Sequence, residues 1–481
     1  MGVFAQSRTW RRGARLALSQ LACLGRHTGT GRICTAGRVD VDWSADYRFF
    51  SQDRWEATKL FDPILTGVLE GSGPSQPLVT ALDDTHLRKT GPKIPGVGYR
   101  RDPLSPPFHT NLIRVQRFLQ MSALVAGGDR PASATEGSAV TGPARGIPIR
   151  YDHVPPVAKP RRGASPQDWK AYRQCCRRHN LSTAGVAAIR QTRGALDQKP
   201  QDHPRLLVVG TDGSYTNQTV LKGLPSRTTL IGRIRKDAKL FDRPIAPDRP
   251  PRGKPRQYGR PAPTPEQLRQ DPTVPWQEVR AYAAGTVHAF RVKTIAPVLW
   301  AKAGPQRPLR LVVIAPVGYR LHAAGRRLYR QPAYLICTDP NLPLDQVLQY
   351  YLWRWDIEVN HRDEKQIIGV GQAQVRSRRS VDRDPAFAVA AYATLLLASI
   401  QTYGRPGKEV NGTAPKWRAA KVKSRPTTLD LIQQLRRELW GHALQGIQEH
   451  SRHFASPQAG DTKCPEIRPP LPEAVLYATT G

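Results

Sequence analysis

The sequence predicts an α/β fold, on three observations. Short apolar runs that read as strands alternate along the chain with longer segments that read as helices, the pattern of a sheet covered by helices. Two of those runs, LVTALDDT (78–85) and LLVVGTDG (206–213), end in acids, as strands do where they emerge from a buried sheet into a cleft. At 481 residues and 39 % hydrophobic, the chain can also bury at least one large core.

Residues 1–75 read as helical, with Trp43, Tyr47, Phe49, Phe50 and Trp55 as apolar anchors among Arg and Asp. The basic start is followed by an apolar stretch that is short and carries Ser19 and Gln20, so it predicts an amphipathic helix and not an export signal. A strand over 78–85 precedes a Gly/Pro loop (91–107), and further strands are expected over 112–125 and 147–154, separated by a loose Gly/Ala/Ser/Pro stretch at 126–147. Residues 167–195 read as helix, 206–217 as a buried strand and loop, and 228–235 as another strand. Residues 242–275 hold ten prolines and seven Lys or Arg and predict an exposed basic arm. Strands return at 287–300, 309–319 and 334–339, and Asn341 and Pro343 introduce a helix near Leu344. The apolar run 387–400 is too short to span a bilayer and predicts a buried helix. TTLDLIQQLRRELW (427–440) has an amphipathic helix pattern.

The 73 Lys plus Arg outnumber the 38 Asp plus Glu to give a net charge of +35, which resists compaction unless a polyanion neutralises it. Nucleic acid is the polyanion expected, bound through its phosphates. The six cysteines show no zinc-site spacing; Cys175, Cys176 and His179 cannot easily share a tetrahedral site, so the thiols are expected to be reduced and idle. With no export or membrane signal, the expected location is cytoplasmic.

The most informative segment is YLWRWDIEVNHRDEK (351–365). On one helix, Tyr351, Arg354, Glu358 and Lys365 fall within an arc of roughly 60° at about 100° per residue. A carboxylate for a divalent metal would stand beside a guanidinium and an ammonium for phosphate oxygens and a phenol for a hydrogen bond. For any one pair, such as Arg354 with Glu358, an ordinary solvated ion pair explains the spacing as well; the four together on so basic a chain favour a phosphodiester. Further acids for a Mg²⁺ site come from the strand ends, where Asp83, Asp84 and Asp212 supply hard oxygen ligands. Asp212-Gly213 reads equally well as a turn, and Asp83 or Asp84 as a cap.

Taken together these residues resemble a family. The spacing of Tyr351, Arg354, Glu358 and Lys365 resembles the Y-R-E-K signature of insertion-sequence transposases of the DDE, cut-and-paste kind. Asp83-Asp84-Thr85 is similar to that family's first-acid motif, and Asp212-Gly213-Ser214-Tyr215 to its second. The resemblance covers roughly residues 78–404. It implies an RNase H-like mixed-sheet core with a β-rich insertion between the second and third acids, and helical extensions at either end. It implies an enzyme that cuts DNA at insertion-sequence ends and joins them to target DNA, acting on the bacterial nucleoid as a homodimer. Asp83, Asp212 and Glu358 would hold two Mg²⁺ ions (or Mn²⁺), Asp83 being preferred to Asp84. Tyr351, Arg354 and Lys365 would contact DNA phosphates. An insertion-domain Trp would stack a flipped base, with Trp300 the candidate and Trp276 the alternative; each also reads as a core residue. Residues 1–77 then become a helical N-terminal region, given end recognition by elimination because no helix-turn-helix pattern is evident. The core occupies 78–240 and 331–404, the arm and insertion 241–330, and a basic, helical tail 405–481. A relic or regulator that binds DNA without cutting it, and another RNase H-like endonuclease, are the competing readings.

Overall fold

The computed structural model describes the chain apart from residues 1–2, 74, 103–104, 107, 110, 128–141, 246–255, 321, 323–324, 408–424 and 455–481. Most of the loose stretch predicted at 126–147, part of the arm predicted at 242–275 and much of the predicted tail therefore lie outside the described residues. Two compact units are present, Met1–Pro426 and Thr427–Gly481.

The first unit opens with helices α1 (Ser7–Ala22), α2 (Gly29–Thr35), α3 (Ser44–Ser51) and, after a 3-10 turn at Thr58–Phe61, α4 (Asp62–Glu70). Phe49, Phe50 and Trp55 are buried and pack with Phe387; Phe49, Phe50 and Phe387 stand edge-on to one another and Trp55 is tilted against Phe49 and Phe387. Trp43 and Tyr47, predicted as anchors beside them, are about half exposed and pack on each other. The helices are tied down by an ion pair, 1 % and 5 % exposed, in which both Arg32 amino groups meet the Asp384 carboxylate at 2.6 and 3.1 Å.

Next come strands β1 (Leu78–Arg88), β2 (Gly98–Arg101), β3 (Leu112–Ala126) and β4 (Ala144–His153). The predicted helix at 167–195 is two, α5 (Pro166–Arg178) and α6 (Leu181–Asp197); Asn180 caps α6 with a reciprocal Asn180–Thr183 capping box that restarts the helix. After them follow β5 (Leu207–Thr211), the short α7 (Gln218–Gly223) and β6 (Thr228–Arg233). Residues 265–270 form α8, followed by β7 (Gln277–Ala283), β8 (Thr286–Trp300), β9 (Gly304–Ile314), the small hairpin β10 (Gly318–Tyr319) and β11 (Leu328–Tyr329), and β12 (Ala333–Cys337). Helices α9 (Leu344–Trp353), α10 (Asp356–Gln366) and α11 (Ser380–Tyr403) complete the unit.

The architecture is mixed α/β, as predicted. One sheet runs β2-β3-β1-β5-β6-β12-β9-β8-β7, with β4 also on β3. The β4-β3-β1 part is antiparallel, β5 and β6 run parallel to β1, and everything beyond β6 is antiparallel. The strands expected as a separate insertion thus extend the same sheet through β12. One face of the sheet carries a core cluster of Val79, Ala81, Val208 and Ile231 with Val347, Leu348, Trp353 and Ile357 from α9 and α10. The opposite face packs on α6, where Leu82 and Tyr215 lie against Gly185. α11 is the one described helix long and apolar enough to cross a bilayer; it packs on β4, α1 and α4, and most of its apolar side chains are buried there. In the second unit, α12 (Thr428–Phe454) extends the helix predicted at 427–440.

Candidate active site

Register places the first two acids. In the parallel pair β1–β5, Leu82 stands opposite Thr211, so Asp83 and Asp212 are the next residues along two neighbouring strands. Side chains alternate across a strand. Val79 and Ala81 face α9 and α10, and so does Asp83; Val208 faces the same way, and with it Gly210 and Asp212. Asp84 projects to the α6 face. There it accepts a hydrogen bond from the buried Tyr215 hydroxyl at 3.2 Å and pairs with Arg117 at 3.1 Å. The two adjacent acids, open alternatives in the sequence, have separate surroundings: Asp84 is held by partners, while Asp83 faces Asp212.

Asp212 takes the turn role that its Asp-Gly sequence offers. Its carboxylate accepts from the Ser214 backbone N–H (2.8 Å) and hydroxyl (3.1 Å), closing the turn, while its position stays at the end of β5. Tyr215, three residues on, reaches back under the sheet to Asp84.

The Tyr351–Lys365 segment is not one helix. It breaks at Arg354–Trp355, where Arg354 N–H donates to Tyr351 O, Ile357 N–H to Arg354 O and Glu358 N–H to Trp355 O, all i to i+3 bonds that tighten the chain. Trp353 and Ile357 are both buried in the core cluster, and Trp355 between them is 60 % exposed. Tyr351 therefore belongs to α9, Arg354 to the break, and Glu358 and Lys365 to α10. The side chains still converge. The Arg354 guanidinium donates to Glu358 Oε1 at 2.8 Å and lies 5.8 Å from the Tyr351 ring centre. Gly210 lies beside it, where a Cβ would stand in ordinary contact, 3.4 Å from Arg354 Cβ.

The electrostatics link these groups. Burial pushes the Asp83 carboxyl up to about 7, with Asp212 and Asp84 adding to the rise and the Asp84 N–H and Arg354 opposing it. Burial works against the Arg354 charge, but Tyr351 and Glu358 outweigh it and Asp83 adds to them, so its pKa is raised. Burial lowers the Lys365 ammonium against the pull of Glu364, Asp83 and Asp84. Burial raises the Tyr351 phenol, opposed by Arg354 and Arg233. A carboxylate pair is thus partly desolvated, with Arg354 and Lys365 within electrostatic reach of Asp83. Glu358 is different: its side chain is 35 % exposed and joined to the acids only through Arg354. Among the described residues no three His, Cys, Asp or Glu side chains converge closely enough to hold a metal ion as they stand. Asp83 and Asp212 suit a divalent cation, since Asp212 adds to the cost of a charge on the buried Asp83; Glu358 joins them only if it leaves Arg354.

Of the base-stacking candidates, Trp300 is buried and Trp276 half-buried. Trp300 is 7 % exposed, with the Lys302 ammonium 4.9 Å from its ring centre. Trp276 is flanked by Arg291 at 5.2 Å and Lys293 at 4.8 Å. His86 lies on the Asp84 side and accepts from Arg117 at 3.2 Å. The sequence reading missed Arg100 and Arg117, which meet on the far side of β1; their signal was the basic run in GYRRD and the alternation in RVQRF.

In comparisons with known proteins, no family model and no curated protein matches the chain.

Proposed function

We propose that this chain is a DDE-type DNA transposase with an RNase H-like core, which cuts insertion-sequence ends and joins them to target DNA. The observation that carries this reading is the register that sets Asp83, midway along β1, beside Asp212 just past the end of the parallel β5, with Arg354, bound to Glu358, near enough to act on Asp83. Support also comes from the sheet: an antiparallel β4-β3-β1 unit continued by parallel β5 and β6, with the third acid on a following helix, is the mixed arrangement an RNase H-like core requires.

Asp83, Asp212 and Glu358 would hold Mg²⁺. When bound, the metal supplies activation of the attacking oxygen and stabilisation of the leaving one. The chain's own residues do the rest. Arg354 exchanges its bond to Glu358 for a phosphate oxygen, which frees the third carboxylate. Lys365, whose charge is made costly by burial, gains from an anionic phosphate. Tyr351 stays protonated and donates a hydrogen bond. Transposition joins two ends in one event, so the working form is a homodimer on DNA.

The engagement of Glu358 by Arg354 favours a second reading, a DNA-binding relic or regulator that does not cut. Strand transfer separates the readings. The protein is mixed with a pre-cut end duplex bearing a free 3′-hydroxyl, a supercoiled plasmid and Mg²⁺. A transposase gives covalently joined plasmid; a binding protein gives only a shifted complex, and another nuclease gives cuts without joining.

A further inference from the structure

On the face of β1 away from Asp83, a groove of about 880 Å³ runs between β2, the loop at 154–157 and the start of α6. Arg100 and Arg117 line it from β2 and β3, and Lys302 enters from the turn between β8 and β9. Its walls are mostly polar. Among the described residues one carboxylate bears closely on these cations, Asp84, and it is shared among Arg117, Tyr215 and His86. Among the described residues Arg100 and Lys302 have no salt-bridge partner. Burial and the neighbouring Arg117 both lower the Arg100 pKa, so two guanidiniums stand close enough to repel each other. Such repulsion is relieved when an anion binds between them.

The groove does not end there. A second cavity of about 1050 Å³ shares Val154–Val157, Tyr172, His179 and Asn180 with it and continues beside α5, where Lys159, Arg161 and Arg178 line it. Cations stand at both ends of the joined cavities, Arg100, Arg117 and Lys302 at one and Lys159, Arg161 and Arg178 beside Asp168 in the more apolar other, a spread that fits a polymer of phosphates and not a single small anion.

We infer that this trough is a phosphate track for a DNA strand lying on the sheet face opposite the Asp83–Asp212 site, with Lys302 of the β8–β9 turn closing over it. The inference rests on the DNA-transposase reading. It gives the strand extension beyond β6 a role, since the β8–β9 turn delivers a cation to the core. Arg100, Arg117 and Lys302 each neutralise one phosphate, and the base edges are not read, so the track binds backbone irrespective of sequence.

The test uses the full chain without divalent metal and a fluorescein-labelled duplex of arbitrary sequence, titrated over a series of NaCl concentrations. Each phosphate contact contributes about 0.9 to the slope of log affinity against log salt. The variant carrying Arg100→Gln and Lys302→Gln should lose about 2 from that slope and bind more weakly at low salt. In parallel, acetylation footprinting of the wild type should show Lys302 protected by the duplex; this arm does not depend on the variant folding. Unchanged slope with Lys302 unprotected, while the wild type still binds with steep salt dependence, overturns the track and leaves the DNA reading standing. Protection of Lys302 by deoxynucleoside monophosphate at the same nucleotide concentration overturns it in favour of a mononucleotide site. A wild type that shows no salt-dependent DNA binding removes the DNA reading itself, and the track with it.

Discussion

Replacing Arg354 by Gln separates a cation that holds the site together from one that merely decorates it. The guanidinium does two things in the metal-free protein: it pairs with Glu358 at 2.8 Å and it opposes the burial that pushes Asp83 up to about 7. A hydrogen bond to a charged group contributes about 1.5–3 kcal/mol. Discounted for the solvent that reaches the 35 % exposed Glu358, the pair accounts for about 1–2 kcal/mol. The second contribution depends on pH. A carboxyl whose folded pKa is raised from 3.8 costs stability as pH rises from that value towards 7, and without Arg354 the cost at pH 8 grows. The variant should therefore melt a few degrees lower than the wild type at pH 8, and the gap should narrow at pH 5, where Asp83 is protonated. A divalent cation can replace the missing charge. Each tenfold excess over its dissociation constant adds about 1.4 kcal/mol, so Mg²⁺ should raise the melting temperature of Arg354→Gln more than that of the wild type. Thermal denaturation at both pH values, with Mg²⁺ or NaCl at equal ionic strength, reads all of this. Equal stability of variant and wild type at pH 8, or no difference between Mg²⁺ and NaCl, would refute the reasoning.

Other consequences follow from single groups. Glu364 is 1 % exposed and burial raises it to about 8, so the folded state keeps a proton between about 4.5 and 8 that the unfolded chain releases; stability should fall as pH rises through that window, and Glu364→Gln should flatten the melting temperature between pH 5 and 8. Arg32→Met leaves Asp384 charged and buried without its partner, and should cost about 3 kcal/mol or more in urea denaturation; a loss under about 1 kcal/mol would mean the pair does not anchor the N-terminal helices. Tyr215→Phe removes the hydrogen bond to Asp84 and should cost about 1 kcal/mol by the same assay, with the released Asp84 still held by Arg117.

Much of this arrangement was legible in the sequence. β1 and β5 begin as continuous apolar runs, as parallel strands buried on both faces do, although β1 runs on past its acids to Arg88. The spacing from Tyr351 to Glu358 identified three side chains that meet around Arg354. What stayed hidden depends on non-local partners. The break at Arg354–Trp355 has neither Gly nor Pro to announce it, and Trp353 and Ile357, four residues apart, would share a buried face in an unbroken helix as well. The pairing of β12 with both β6 and β9 makes the extension part of the main sheet, and strand composition does not name a neighbour. β7 was missed because Glu278 and Arg280 interrupt it, although Val279 and Ala281 alternate inward. The exposure of Trp43 and Tyr47 beside the buried Phe49 and Phe50 has no signature in composition. Asp83 and Asp84 could be distinguished only by which face of β1 each occupies, and that depends on where α6 and α10 pack.

The most direct test of the central claim is cleavage of labelled transposon-end DNA, read from the sequence flanking the coding region, by the wild type and by Glu358→Gln, with and without Mg²⁺. The account predicts cutting by the wild type only when Mg²⁺ is present, and no cutting by the variant although it binds the same DNA. Equal binding by both proteins with no cutting by either, across Mg²⁺ and Mn²⁺, would contradict it.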